Sequence, residues 1–355
     1  MLVASPIHQI LDLARWAPSG DNSQPWRFEV LDESHLVIHG FDTREHCIYD
    51  LDGRASQLSL GALIETISIA SSQHALSPRT IRRESMPDSR PTFDVYFDAS
   101  PDRGLDPLLP SIPRRSVFRR AMSTRALTVA ERGSLEAALP GGFKLRWFEG
   151  WADRWRLSKL MYRNAKLRLT TREAFEVHRT VIDWGKKYSS DRVPDKALGL
   201  DPVTLRLMRW ALQDWRRVSF LNRWLAGTVM PRVQMDLLPP LFCAAHFVIL
   251  RDPAPSTIDD YIESGRAIQR FWLAATALGL QQQPELTPII FSRYVRNGIA
   301  FSKDPGAIKL AAALHRDTEA LFEACLSQIV WLGRVGVSPA ADARSLRRAL
   351  TSLKI

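Results

Sequence analysis

The chain has 355 residues with 45% hydrophobic content, enough for one large or two smaller buried cores, and a formal charge of +10 that comes largely from arginine. Its three cysteines, Cys47, Cys243 and Cys325, are far apart and odd in number, which argues against a disulfide framework and a structural zinc site and fits a reducing cytoplasm. The start MLVASPIHQI lacks an export signal, and the longest apolar run, residues 237–250, is broken by Pro239, Pro240 and His246, so neither export nor a membrane span is expected.

Ser5 and Pro6 ahead of Ile7, Ile10, Leu11 and Ala14 read as an N-cap, a first-turn proline and an apolar helical stripe, ending near Pro18. After a polar loop, RFEVLDESHLVIHGF alternates like a hairpin. Residues 57–76 carry a second helical stripe, TFDVYFDA is a strand, and residues 100–113 are the expected linker between two halves. The chain restarts at Pro113 with an arginine-rich helix start and a strand near KLRWF. A helical, tryptophan-rich stretch covers residues 151–231. A very apolar strand follows at 242–250, then a helix over 257–280, a last helix over 308–331 and a basic tail. Strands between helices imply an α+β or α/β layered architecture.

GALIETISIASSQHALSP and GRAIQRFWLAATALGLQQ align at an offset of 204 (265 − 61), with Gly61 on Gly265, Ile64 on Ile268 and Ala70 on Ala274. Amphipathic helices share apolar spacing by chance; the glycine start and neighbouring strand favour duplication.

HExxH, GxSxG, GxxxxGK[ST] and GxGxxG are all absent, which removes support for a dedicated metal, nucleophilic hydrolysis, P-loop chemistry and a Rossmann site. His246, within FCAAHFVIL, reads as a hydrogen-bonded core histidine, and Asp236 as a turn or cap residue. The arginine clusters at 114–120 and 344–348 suit a phosphate better than a nucleic-acid track, with plain surface charge the alternative. Nucleic-acid binding would need an interleaved basic and aromatic surface, which only the 151–231 stretch offers.

The loop WAPSGDNSQPWRF joins conformational punctuation (Pro18, Gly20, Pro25) to short polar side chains (Ser19, Asn22, Gln24) that could edge a heterocycle; filling core with Trp16 and Trp26 is the alternative. APSGDNSQPWRF closely resembles the flavin-edge motif of the nitroreductase superfamily. YIESGRAIQRFWLAATALGLQQQP resembles that family's later helix, RRSVFRR its phosphate-binding helix start, and WLGRVGVSPAADARSLRRAL its closing arginine segment.

The resemblance implies a nitroreductase-like three-layer α/β/α sandwich that binds FMN. Pro18, Ser19, Gly20, Asn22 and Gln24 would edge the flavin ring. Arg114 or Arg115, with Ser116 and Arg119, would hold the phosphate together with Arg344, Arg347 or Arg348, of which Arg347 is preferred. Glu263 and Gly265, separated here by Ser264, would lie near the flavin N5. The loop precedes the arginine-serine segment, an order that resembles the double-length branch, in which two repeats form an intramolecular pseudo-dimer. Residues 1–105 would supply the loop and residues 110–355 the phosphate grips, with 151–231 a possible lid. The implied activity is hydride transfer from NAD(P)H through FMN to a small electron-poor acceptor, a quinone, nitroaromatic or enone. The alternatives are flavin storage beneath a lid and a specialised biosynthetic oxidase or dehydrogenase. A monomer fold is expected, with no metal and no nucleic-acid or membrane partner.

Overall fold

Two four-stranded antiparallel sheets organise the chain, here a computed structural model describing residues 5–225 and 227–355. Helix α1 (Pro6–Ala14) buries the expected stripe of Ile7, Ile10, Leu11 and Ala14. Ser5 precedes it without the expected side-chain cap, and its hydroxyl meets His8 Nδ1 at 2.7 Å. Strands β1 (Trp26–Val30) and β2 (His35–Gly40) form the hairpin. Helix α2 (Arg54–Ser71), β3 (Leu76–Arg82) and β4 (Thr92–Ala99) complete the first sheet in the order β1-β2-β4-β3. The sequence extended this second helix to Leu76, but a tight turn at 72–74 and left-handed Ala75 (φ 51°) end it, and Leu76 opens a strand.

The second half contains α3 (Val129–Ala137) and β5 (Phe143–Phe148), then α4 (Trp151–Thr170), α5 (Arg172–Val181), α6 (Pro202–Ala211) and α7 (Trp215–Trp224). It continues with β6 (Ala245–Arg251), α8 (Ile258–Ala277), β7 (Leu280–Pro284), α9 (Thr287–Arg296), α10 (Pro305–Phe322) and β8 (Ile329–Val337). The strand order β5-β6-β8-β7 matches the first sheet strand for strand. Three expectations change. The last helix ends at Phe322, where Glu323 adopts φ 53°, so Trp331 lies in a buried strand. Residues 182–198 interrupt the helical stretch with short extended segments. Residues 114–120 are not a helix start: Val117 bridges Gln282, and Phe118 N–H donates to the Gln282 carbonyl at 3.0 Å, which commits the segment to an extended path.

Helices α1 and α2 pack on one face of the first sheet, through Leu63 and Ile67 against Ile38, Phe93 and Val95. The second sheet is covered on both faces, by α8 through Phe271 and Trp272 and by α4 and α10 through Leu160 and Phe322. The halves join where α2 crosses α8. Gly61 and Gly265 sit at the crossing, and a Cβ on Gly61 would collide with the Ile262 carbonyl, as one on Gly265 would with the Leu58 carbonyl. These partners differ by the same 204 residues as the glycines (262 − 58). One turn on, Arg270 donates to Glu65 at 2.9 Å and Gln269 to Thr66 at 2.9 Å, so that 65 meets 66 + 204 and 66 meets 65 + 204. Contacts that exchange in this way have the form of a two-fold interface.

Candidate functional site

The opening loop holds three non-glycine residues in the left-handed region, Asp21, Asn22 and Gln24, at φ 49°, 62° and 51°. Each such conformation costs about 1 kcal/mol or more and persists where surrounding bonds over-determine it. Gln24 supplies many of those bonds. Its N–H donates to Ser19 Oγ at 2.9 Å, its Nε2 to the carbonyls of Asn22 (3.1 Å) and Ser190 (2.9 Å), and its Oε1 accepts from Arg348 N–H at 2.9 Å. Asn22 Nδ2 donates to the Arg192 and Leu346 carbonyls at 3.3 and 3.2 Å. Gln24, expected to edge a ligand, therefore ties the loop to residues 188–197 and to the C-terminal segment.

Behind the loop lies a cavity of about 230 Å³. Pro18, Ser19, Gly20, Asp21 and Asn22 form one wall, and Leu58, Ser59 and Ala62 of α2 another. Ile268 and Trp272 of α8, with Trp331 of β8, supply an aromatic side. The remaining wall is basic, lined by Arg115, Ser116, Arg119, Arg344 and Arg347. Residues 182–198 cover the site: Tyr188 and Ser189 pair in parallel with Arg344 and Ser345, and Val193 and Ala197 line the cavity.

The basic wall carries almost no compensation. Arg115 donates to the Trp16 carbonyl at 3.1 Å and its guanidinium lies 4.6 Å from the centre of the Trp272 ring. Arg347 Nε donates to the Ala17 carbonyl at 2.9 Å, and Arg344 to the Pro113 carbonyl at 2.8 Å. Carbonyls and rings orient these groups without neutralising them. Burial pushes Arg115 well below the usual arginine value, with Arg347 and Arg344 adding repulsion. Burial and Arg344 bring Arg347 down to about 9, and burial brings Arg119 to about 10 although Asp21 resists. Burial likewise raises the Asp21 carboxyl, against the pull of Arg119 and Arg168. Such a cluster favours an anion with several acceptor oxygens. Heteroatoms are in demand too. Arg115 Nε, Arg344 Nε, Asn22 Oδ1, Gln283 Oε1 and Trp331 Nε1 are buried without a hydrogen-bond partner, and every one belongs to a cavity-lining residue.

The remaining candidates sit elsewhere. Arg114 is exposed, so of the neighbouring pair it is Arg115 that enters the cavity. Arg348 points to Asp191 at 3.6 Å and contributes its backbone N–H to Gln24. Glu263, Ser264 and Gly265 do not line the cavity. They lie inside α8, which begins at Ile258 behind the Thr257–Asp260 capping box: Glu263 pairs with Arg251 at 3.1 Å, Ser264 Oγ donates to the Asp260 carbonyl, and Gly265 is occupied by the helix crossing.

A buried network props the arginine segment from behind. Arg334 pairs with Glu285 at 3.2 Å and donates to the Arg119 and Arg120 carbonyls at 2.9 and 3.0 Å. His246 is the expected core histidine; its Nδ1 meets Glu285 and its Nε2 the Pro240 carbonyl, both at 2.8 Å. Both nitrogens face acceptors, so the ring donates twice as imidazolium. Burial opposes that charge, and Cys243 and Glu285 outweigh burial to push the ring up to about 10. Asp236 is not a simple turn residue: both its oxygens accept from Arg168 at 2.9 Å. Sequence reasoning missed Asp21, Trp272 and residues 188–197. Asp21 stands between the loop residues that were singled out, with no signal of its own, and 188–197 reach the site only by pairing with residues far along the chain.

No family profile and no curated protein matches the chain. Among solved structures, it is similar to a Bacteroides fragilis nitroreductase with bound FMN (10% identity, 66% of this chain and 89% of that chain, TM-score 0.32). It is also similar to an FMN-dependent nitroreductase from Mycobacterium smegmatis in complex with NADPH (14%, 68% and 94%, 0.35) and one from Clostridium difficile (13%, 66% and 94%, 0.32).

Proposed function

We propose that the chain is an FMN-dependent oxidoreductase of nitroreductase type whose two halves, residues 1–105 and 110–355, form an internal pseudo-dimer around one flavin. The observation that carries this reading is the group of four largely buried arginines, Arg115, Arg119, Arg344 and Arg347, facing one cavity beside Trp272 with little acidic compensation. A phosphate ester fits that wall through charge-assisted hydrogen bonds. A planar ring with edge heteroatoms fits the unpartnered atoms of Asn22 and Gln283. When bound, FMN supplies two-electron redox chemistry between a reduced nicotinamide and a small electron-poor acceptor such as a quinone, nitroaromatic or enone. The chain's own task is to hold the phosphate, fix the ring edge and keep water out. Gln24 and Asn22 do the last by fastening residues 190–192 across the loop. The exchanged contacts at the α2–α8 crossing support the pseudo-dimer.

The test is the absorption spectrum of the purified protein, before and after anaerobic NADPH or NADH. Flavin bands that bleach and return with a quinone or nitroaromatic support the proposal. Bands that persist with either donor assign the chain to flavin storage, and a colourless protein that refuses added FMN overturns the flavin reading.

A further inference from the structure

Helices α6 and α7 turn one apolar stripe inward, through Leu205, Met208 and Leu212 and through Trp215, Val218 and Leu221, as surface helices do, and carry a second apolar set outward. Among their residues α6 buries only Thr204 and Ala211, and α7 only Val218. Val203, Leu207 and Trp210 recur at i, i+4 and i+7 on α6 and are 72%, 47% and 44% exposed. On α7, Phe220 and Trp224 are 53% and 67% exposed, with Leu225 beside them at 63%. The same two helices expose Arg206, Arg209, Arg216 and Arg223. Their acids are engaged: Asp201 caps α6 by accepting from Val203 and Thr204 N–H, and Asp214 caps α7 through Arg216 N–H and pairs with the Arg216 guanidinium at 3.0 Å, which leaves the charge of Arg206, Arg209 and Arg223 facing outward. The Arg223 guanidinium lies 5.3 Å from the centre of the Trp224 ring, so charge and aromatic surface are presented together.

We propose that this face docks on an anionic lipid bilayer, lying in the interface and not crossing it. Charge selects this occupant. Exposed tryptophan, phenylalanine and leucine among arginines match the headgroup boundary of a membrane that carries negative lipids. A second copy of the chain is the competing occupant, but a two-fold contact through these helices would bring two sets of exposed arginines together with no free acid between them. No described helix is long and apolar enough to cross a membrane, which agrees with surface docking. The inference is independent of the flavin reading, because binding to lipid is measured with or without FMN.

The experiment is flotation of the full chain with vesicles of equal parts phosphatidylcholine and phosphatidylglycerol, and with phosphatidylcholine alone. The chain floats with the mixed vesicles, less so in high salt, and its tryptophan emission shifts to the blue, a shift that Trp224→Phe reduces. Phe220→Ser with Trp224→Ser weakens binding roughly tenfold or more, and Arg216→Glu with Arg223→Glu does the same. These positions are solvent-exposed, so circular dichroism of the variants stays as in the parent. Failure to float with mixed vesicles overturns the proposal, as does flotation that ignores both double variants. A dimer in sedimentation velocity that Phe220→Ser with Trp224→Ser dissolves overturns it in favour of a contact between copies.

Discussion

Gly265→Ala sets two effects of opposite sign against each other at the centre of the molecule. Alanine in a helix interior is favoured over glycine by about 1 kcal/mol. Against this, the new Cβ would lie 2.9 Å from Gly61 Cα and 2.9 Å from the Leu58 carbonyl carbon, and it would collide with the Leu58 oxygen. All three atoms are backbone, so no rotamer change relieves the clash and the helices must separate. Overpacking usually costs about 1–3 kcal/mol, and a clash with backbone that no side chain can relieve raises this to about 4 kcal/mol. The clash wins by about 3 kcal/mol, which lowers Tm by roughly 4 °C in a chain of this size. Leu58, Ala62, Ile268 and Trp272 come from the same two helices and line the cavity, so FMN affinity falls as well. Gly61→Ala meets the exchanged clash, with Ile262, and behaves alike. Once one substitution has opened the crossing, the second costs less, and the double variant falls short of the sum by about 1 kcal/mol or more. Thermal melts of the four proteins read all of this. A Gly265→Ala chain that melts within a degree of the parent would refute the close crossing, and strict additivity would refute the shared displacement.

Three further outcomes are expected. Arg115→Lys keeps the charge but loses the planar contact with Trp272 and the forked donors, and weakens FMN binding by about 2 kcal/mol, read by fluorescence titration. Asn22→Ala removes two bonds, to carbonyls at 192 and 346 that keep donors from Ser345 Oγ and Arg347, and so loosens the loop without leaving either carbonyl unanswered; FMN should dissociate about threefold faster in stopped-flow exchange, with little change in absorption maximum. His246 is raised from 6.5 to about 10, so its contribution to stability is complete below pH 6.5 and disappears as pH rises through about 10. Urea midpoints measured across that window should decline in the parent and stay flatter in His246→Gln.

Local signals were legible in the sequence where one stretch of chain decides its own conformation. The stripe of α1, the hairpin, TFDVYFDA and the polar loop all follow from spacing and turn chemistry. Arg347, preferred among the C-terminal arginines through the resemblance, lines the cavity beside Arg344. Errors concentrate where distant segments decide. RRSVFRR looked like a helix start, yet pairing with Gln282 and the Arg334 donors hold it extended. IVWLGRVGV looked like a helix end, yet it fills a central position between β6 and β7, where a continuous apolar run suits a strand buried on both faces. The glycine pair at offset 204 carried real information, but about packing: Gly265 is needed for the approach of α2 and leaves no room for a ligand.

That approach of helices and the arginine wall together give the site a measurable electrostatic signature. The chain keeps Arg115, Arg119, Arg344 and Arg347 in one poorly compensated group; burial above all lowers Arg347 to about 9 and Arg119 to about 10, with Arg344 repelling the first and Arg168 and Arg334 the second. A base held below its unfolded value costs stability at any pH where it stays protonated. The guanidinium keeps its proton through the neutral range, so the cost is fully present there. A bound phosphate removes the cost by compensating the charge, so ligand stabilisation should exceed that of an uncharged analogue chiefly where the arginines are charged. FMN and riboflavin share the same ring, and the difference between their Tm shifts isolates the phosphate. At neutral pH the difference in affinity should reach about 3 kcal/mol, some two orders of magnitude, from charge-assisted bonds in a largely buried site. A gap between FMN and riboflavin that is small at neutral pH would mean that the arginine wall answers to some other partner.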